Sequence, residues 1–173
     1  MALLNAIRSF LAVVACLLLL GVLAPLVLYL VVVPLIALGP GRRRELGTRW
    51  VTWIARSLTS LIRLGGARID IEGDIDCAQP GVVIMNHQSV LEIPALIHIL
   101  HPRLPRFVAR SRYARSIPTV SQAISYLDCI VIDPRRDRAG AVIAIKRAAD
   151  EGLHHAVMLF PEGHRTRDGE IAA

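Results

Sequence analysis

Lysine is almost missing from this chain: among its twenty cationic side chains, Lys146 is the only lysine and the others are arginine. Arginine's planar fork of donors grips phosphate, so the bias suits phosphate or anionic-lipid recognition, and it equally suits a plain effect of genome composition. Cysteine is scarce too. Cys16, Cys77 and Cys129 are odd in number and widely spaced, which excludes a disulfide framework and a CxxC metal site and fits a catalytic portion in a reducing compartment. Aromatic residues make up only 5% and are not interleaved with the cations, which argues against nucleic acid as a partner. No internal repeat and no low-complexity linker divides the chain. Most telling is a regional absence: from Ser9 to Gly41 there is no charged side chain at all.

What is present fits a membrane-associated protein with anionic partners. The 173 residues are 54% apolar and carry a formal charge of +6. The uncharged run of thirty-three residues would measure ~50 Å as one helix, against a hydrocarbon core of ~30 Å. Pro25 and Pro34 are places to bend, so residues 1–41 are expected to form either one span with an interfacial continuation or a short hairpin re-entering the same leaflet. A signal peptide would have an apolar region of only about 7–15 residues, so the segment is expected to be retained.

Residues 42–66 read differently. Arg42, Arg49, Arg56 and Arg63 recur every seven residues and share one helical face, while Trp50, Val51, Ile54, Leu58, Leu61 and Ile62 gather opposite, with Trp53 at the border. An amphipathic helix in the headgroup layer is expected, and a helix packed on its own domain would show the same pattern. Gly65-Gly66 ends it. Arginines flanking the apolar run place this side of the membrane in the cytoplasm by the positive-inside rule.

Residues 67–173 carry the features of an α/β domain. Alternation in Arg68–Glu72 predicts a half-buried edge strand. Val82–Met85, Arg106–Ala109, Cys129–Ile132 and Ala156–Phe160 read as further strands, three of them fully apolar. Helices are expected over Ser89–Leu100, in pieces over Ser111–Tyr126 around Pro118, and over Asp137–Glu151. Buried strands alternating with helices predict a largely parallel sheet with flanking helices.

In such sheets ligands bind beyond the carboxyl ends of the strands. There the chain places Asn86-His87, Arg110, Asp133 and Pro161-Glu162-Gly163-His164-Arg165-Thr166. One rim would thus carry a base, carboxylates and several guanidinium groups. His87 titrates near neutral pH, and Glu92, five residues on, could hold its ring in one tautomer. Ser89-Val90-Leu91-Glu92 also spells a capping box, in which Glu92 reaches back to the Ser89 amide. Glu92 is therefore claimed by two partners, and it is not expected to serve both fully. Ser89 as a nucleophile lacks the GxSxG elbow. His98, His101, His154 and His155 lack partners at metal spacing.

Asn86-His87-Gln88-Ser89-Val90-Leu91-Glu92 and Phe160-Pro161-Glu162-Gly163-His164-Arg165-Thr166 together resemble the glycerolipid acyltransferases, in particular the bacterial 1-acylglycerol-3-phosphate acyltransferases, with signatures NHxxxxD and FPEGTRS. The resemblance covers roughly Ile69 to Thr166. It implies a membrane enzyme that moves a fatty acyl group from acyl-CoA or acyl carrier protein to the free hydroxyl of a lysophospholipid, giving phosphatidic acid at the inner membrane. His87 becomes the general base and Glu92, where the family has Asp, its orienting carboxylate. Glu162, Gly163 and Arg165 would bind the acceptor's phosphate, with Arg110 as a second ligand where the family often has Lys. No cofactor is implied.

Several positions depart from the family pattern. His164 takes the usual Thr place, and Ser121 and Asp128 stand where glycines are usual. Pro134 precedes Arg135 where an arginine would more usually follow Asp133, so acceptor binding does not carry over to Arg135. The family also continues with further strands beyond the point reached by Ala173, so either a fragment or an incomplete acyl-binding wall is expected. Alternatives are transfer to another lyso-lipid, such as lyso-ornithine lipid, or an inactive membrane-anchored lipid-binding fragment.

Overall fold

The computed structural model describes residues 2–160 apart from positions 74–76, 78, 88, 134 and 152. Two compact units emerge: Met1–Asp74 with Ile93–Ile99, and Ile75–Glu92 with Leu100–Ala173.

The first unit is built on helix α1, which runs from Ala2 to Leu38 without a break. Neither proline turns the chain back, so of the two forms expected for residues 1–41, one span or a hairpin, the hairpin does not form. Proline lacks an N–H and its ring crowds the carbonyl four residues earlier, which here belongs to Gly21 or Leu30. Those residues lie in two π-helical turns, Leu19–Leu23 and Leu28–Val32, where bonds such as Ala24 N–H to Leu19 O and Val33 N–H to Leu28 O span five residues. The wider turns take up the rings, so the helix continues. By length and composition α1 is able to cross a membrane. Its large apolar side chains are mostly exposed, among them Leu4, Phe10, Leu17 and Leu30.

After a 3₁₀ turn at Pro40–Arg42, helix α2 spans Arg43–Leu64. It returns antiparallel to α1, because Trp50 Nε1 donates to the Ala24 carbonyl at 3.1 Å while Ser9 Oγ donates to the Gly65 carbonyl at 3.0 Å. Glycine is required at that second contact: a Cβ on Gly65 would stand 2.7 Å from the Ala12 Cβ, and Gly66 has a φ of 106° and packs against the Arg8 guanidinium. The face opposite the arginines is buried, including Trp50, Val51, Ile54, Ala55 and Leu58, while Arg42, Arg49, Arg56 and Arg63 are exposed. Of the two destinations open to this apolar face, its own chain takes it.

The edge strand expected at Arg68–Glu72 does not form. Arg68, Asp70, Ile71 and Glu72 are exposed and outside any ladder. Alternation marks a strand only where a neighbouring edge offers its backbone groups, and among the described residues none is paired with this segment.

The second unit holds a four-stranded sheet: β1 (Gly81–Ile84), β2 (Arg106–Arg110), β3 (Ile130–Ile132) and β4 (Ala156–Leu159), in the order β1-β4-β2-β3 with every pair parallel. The central strand β4 is the core, with Val157 and Met158 fully buried. Helix α3 (Glu92–Leu100) follows β1 and contributes Ile93–Ile99 to the first unit. Between β2 and β3 lie α4 (Ser111–Ser116) and α5 (Val120–Tyr126), separated as expected at Pro118. Here Val120 N–H closes a three-residue turn on the Pro118 carbonyl, with Thr119 at a φ of 69°. Helix α6 (Arg138–Glu151) precedes β4, and Asp137 Oδ1 caps it by accepting the Gly140 amide at 2.7 Å. At the opposite, amino-terminal edge of the sheet, Arg106 ties β2 to Glu151 and to the Asp128 carbonyl.

Candidate active site

Because all four strands are parallel, their carboxyl ends meet on one rim, and His87, Arg110 and Asp133 can be placed along it. Ile84 of β1 lies opposite Leu159 of β4, and the Met85 amide extends the ladder to the Leu159 carbonyl at 3.2 Å. This register sets the chain after β1 beside the chain after β4. His87 and Phe160 meet there, with ring centroids 4.7 Å apart and planes tilted by 38°. Phe160 thus forms one wall for the imidazole.

The other support is Glu92. Its Oε2 lies 2.8 Å from His87 Nδ1, while its Oε1 accepts the Ser89 amide at 2.7 Å. The expected conflict over this side chain does not arise, because a carboxylate has two oxygens and the turn gives one to each partner. The turn is held further by Ser89 Oγ, which accepts the Leu91 amide at 3.2 Å. The helix starts at Glu92 rather than Ser89; the half of the capping box in which Glu92 reaches back to the Ser89 amide is made, while the Ser89 hydroxyl takes the Leu91 amide and the Glu92 amide goes to the Ser89 carbonyl. The capping reading and the catalytic reading therefore describe one arrangement. A carboxylate at Nδ1 favours the tautomer with its proton on Nδ1, leaving the Nε2 lone pair to accept a proton. His87 and Glu92 side chains are 22% and 25% exposed, so the pair is sheltered but open to a ligand.

Arg110 is the last residue of β2, half-buried, and opposite Ile132 of β3. Next to it, Ser111 Oγ donates to Asp133 Oδ2 at 2.6 Å, and the Arg136 amide donates to Asp133 Oδ1 at 3.3 Å. The Ser111 hydroxyl, chiefly, and then the neighbouring amides and the Arg136 charge hold the Asp133 carboxyl below its usual range against some desolvation. Glu162, Gly163, Arg165 and His164 lie outside the described residues. No group of His, Cys, Asp and Glu suited to a metal occurs among the described residues. Cys129, before β3, is held in its thiol form: burial pushes its pKa up to about 12.

Two contacts were not foreseen from sequence, the Phe160 ring against His87 and the Ser111–Asp133 bond. The signal for the first was an aromatic residue ending a buried strand. Ser111 and Asp133 stand twenty-two residues apart and carried no signal of their own.

The fold matches that of a crystal structure of the 1-acyl-sn-glycerophosphate (LPA) acyltransferase PlsC from Thermotoga maritima, with a TM-score of 0.67 and 21% identity. The alignment covers 97% of this chain and 66% of that one, so the chain spans just under two thirds of its length. No curated protein matches. The Acyltransferase family model matches residues 68–173, the region that carries the rim and the His87–Glu92 pair, and the chain belongs to the Acyltransferase family.

Proposed function

We propose that this chain transfers a fatty acyl group from acyl-CoA or acyl carrier protein to the free hydroxyl of 1-acylglycerol-3-phosphate. The observation that carries the reading is the 2.8 Å contact between His87 Nδ1 and Glu92 Oε2 at the carboxyl rim of a parallel sheet. His87 Nε2 takes the hydroxyl proton as the oxygen attacks the thioester carbonyl. The tetrahedral intermediate collapses, the ester forms and the C–S bond breaks. The proton on Nε2 then passes to the leaving thiolate, giving the free thiol, with no acyl-enzyme formed. Glu92 stabilises the transient imidazolium, and Phe160 restricts the ring. The acceptor's phosphate is taken by Glu162, Gly163 and Arg165, a role these three carry from the family motif, with Arg110 as a second ligand where the family often has Lys. Donor and acceptor are the only reactants.

In this reading α1 is held in the bilayer by its exposed apolar side chains, and the arginines after it keep the catalytic portion on the cytoplasmic face of the inner membrane. The test is an assay of the purified full chain with radiolabelled acyl-CoA and lysophosphatidic acid, beside His87→Ala. Product from the wild type with a loss of about 10²–10⁴ in the variant is expected. Equal rates would remove His87 as the base. Product from lyso-ornithine lipid but not from lysophosphatidic acid would reassign the acceptor.

A further inference from the structure

The turns after β2 and β3 hold more positive charge than an acceptor phosphate needs. Ser111 and Asp133, joined at 2.6 Å, bring the two turns side by side. From them project Arg112 and Arg115 on one face of α4, Arg135 and Arg136 between β3 and α6, and Arg138 at the start of α6, all five exposed. The carboxylates in these turns are occupied locally: Asp133 by Ser111 and the Arg136 amide, Asp137 by the Gly140 amide. Asp128 and Glu151 belong to the opposite edge of the sheet, where the Asp128 carbonyl and the Glu151 carboxylate hold Arg106. Among the described residues, the guanidinium groups of Arg115, Arg135 and Arg138 make no hydrogen bond or ion pair.

Position separates the β3 half of this cluster, Arg135, Arg136 and Arg138, from the acceptor. The phosphate of 1-acylglycerol-3-phosphate is only a few bonds from the reacting hydroxyl, so it must lie near His87. The β3 turn is the third strand out from β1, about 14 Å away at ordinary strand spacing. A phosphate there belongs to a molecule whose anionic end lies far from the reacting bond. In an acyl thioester of coenzyme A, the pantetheine arm sets a diphosphate and a ribose monophosphate at that kind of remove from the thioester. An aromatic ring is also at hand: Tyr113 is 38% exposed, with the Arg112 guanidinium 4.8 Å from its centroid. A ring and a guanidinium together form a stacking surface for a purine.

We infer that the paired turns after β2 and β3 bind the adenosine-phosphate end of acyl-CoA, with Arg135 and Arg136 on its phosphates and Tyr113 with Arg112 beside its adenine. The inference rests on the acyl-transfer reading for its biological sense, but binding alone can test it. Calorimetry on the full chain in detergent would compare CoA, 3′-dephospho-CoA and pantetheine. Affinity should fall in that order, and Arg135→Ala/Arg136→Ala should weaken CoA about tenfold or more, as expected for the loss of charge-assisted phosphate contacts. The corresponding double Lys variant should recover most of that loss. In turnover, the double Ala variant should raise the KM for acyl-CoA while the KM for lysophosphatidic acid moves less than about twofold. CoA binding indifferent to the substitutions, or an active wild type that binds no CoA and accepts only acyl carrier protein, overturns the inference. So does a rise in the lysophospholipid KM as large as that for the donor. An inactive wild type whose CoA binding still depends on Arg135 and Arg136 would sink the acyl-transfer reading and leave this site standing.

Discussion

Glu92 shows how much one side chain can decide. Its two oxygens satisfy the imidazole and the Ser89 amide at once, so the residue fixes both the base and the turn that carries it. Glu92→Gln keeps a carbonyl oxygen for one partner and removes the charge that favours the imidazolium. We expect it to lower kcat by at least about tenfold with little change in KM for either substrate. A parallel rise in both KM values would instead mark a collapsed turn. Cys129 offers a second check at this scale. With its pKa pushed up to about 12 by burial, under about one thiol in a thousand is ionised at pH 8, and the thiolate is the reactive form. A thiol-reactive probe should therefore label Cys129 slowly in the folded chain and quickly in denaturant, as read by mass spectrometry of the peptides. Rapid labelling of the folded chain would contradict the burial.

Among the elements, the α1–α2 hairpin has the most to lose. Trp50 buries its ring and bonds the Ala24 carbonyl across the pair, one residue before Pro25. Trp50→Phe keeps most of the apolar area and loses the bond, which should cost about 0.5–1.5 kcal/mol by thermal denaturation in detergent. Trp50→Ala should cost about 3–5 kcal/mol through the cavity it leaves. The same packing bears on a chain lacking residues 1–41. Removing α1 uncovers Trp50, Val51, Ile54 and Leu58 on α2, so vesicle flotation of that chain should survive high salt, because the exposed face is apolar and only the arginine stripe is screened. A monomeric truncated chain that ignores anionic vesicles at low salt would show that the uncovered face of α2 has no affinity for a membrane.

Across the whole molecule, stability should depend on pH through the Asp133 tie between the two turns. Its carboxyl titrates below the usual range when folded, so the contribution is fully present above the unfolded value near 4 and is lost as pH falls through the lower folded value. Asp133→Asn should be the less stable chain at pH 7, and the gap should narrow as both are acidified below about pH 4. A gap that does not change with pH would mean that packing, not charge, is lost. Much of this architecture was legible beforehand, and for local reasons. Apolar runs bounded by turns placed β1 to β4 within a residue or two, the seven-residue arginine spacing gave α2 its two faces, and the first acyltransferase signature named His87 and Glu92, which the structure brings into contact. Each of those features is a periodicity or motif written into neighbouring residues. What only the tertiary structure decided depends on residues brought together from far apart. The strand order β1-β4-β2-β3 sets Phe160 against His87 and Ser111 against Asp133. Likewise, with no partner edge among the described residues, Arg68–Glu72 stays out of the sheet, and π-helical turns let α1 continue past both prolines. Sequence specifies what each segment is able to form, and the backbone and side-chain partners supplied by the rest of the fold determine which of those possibilities is realised.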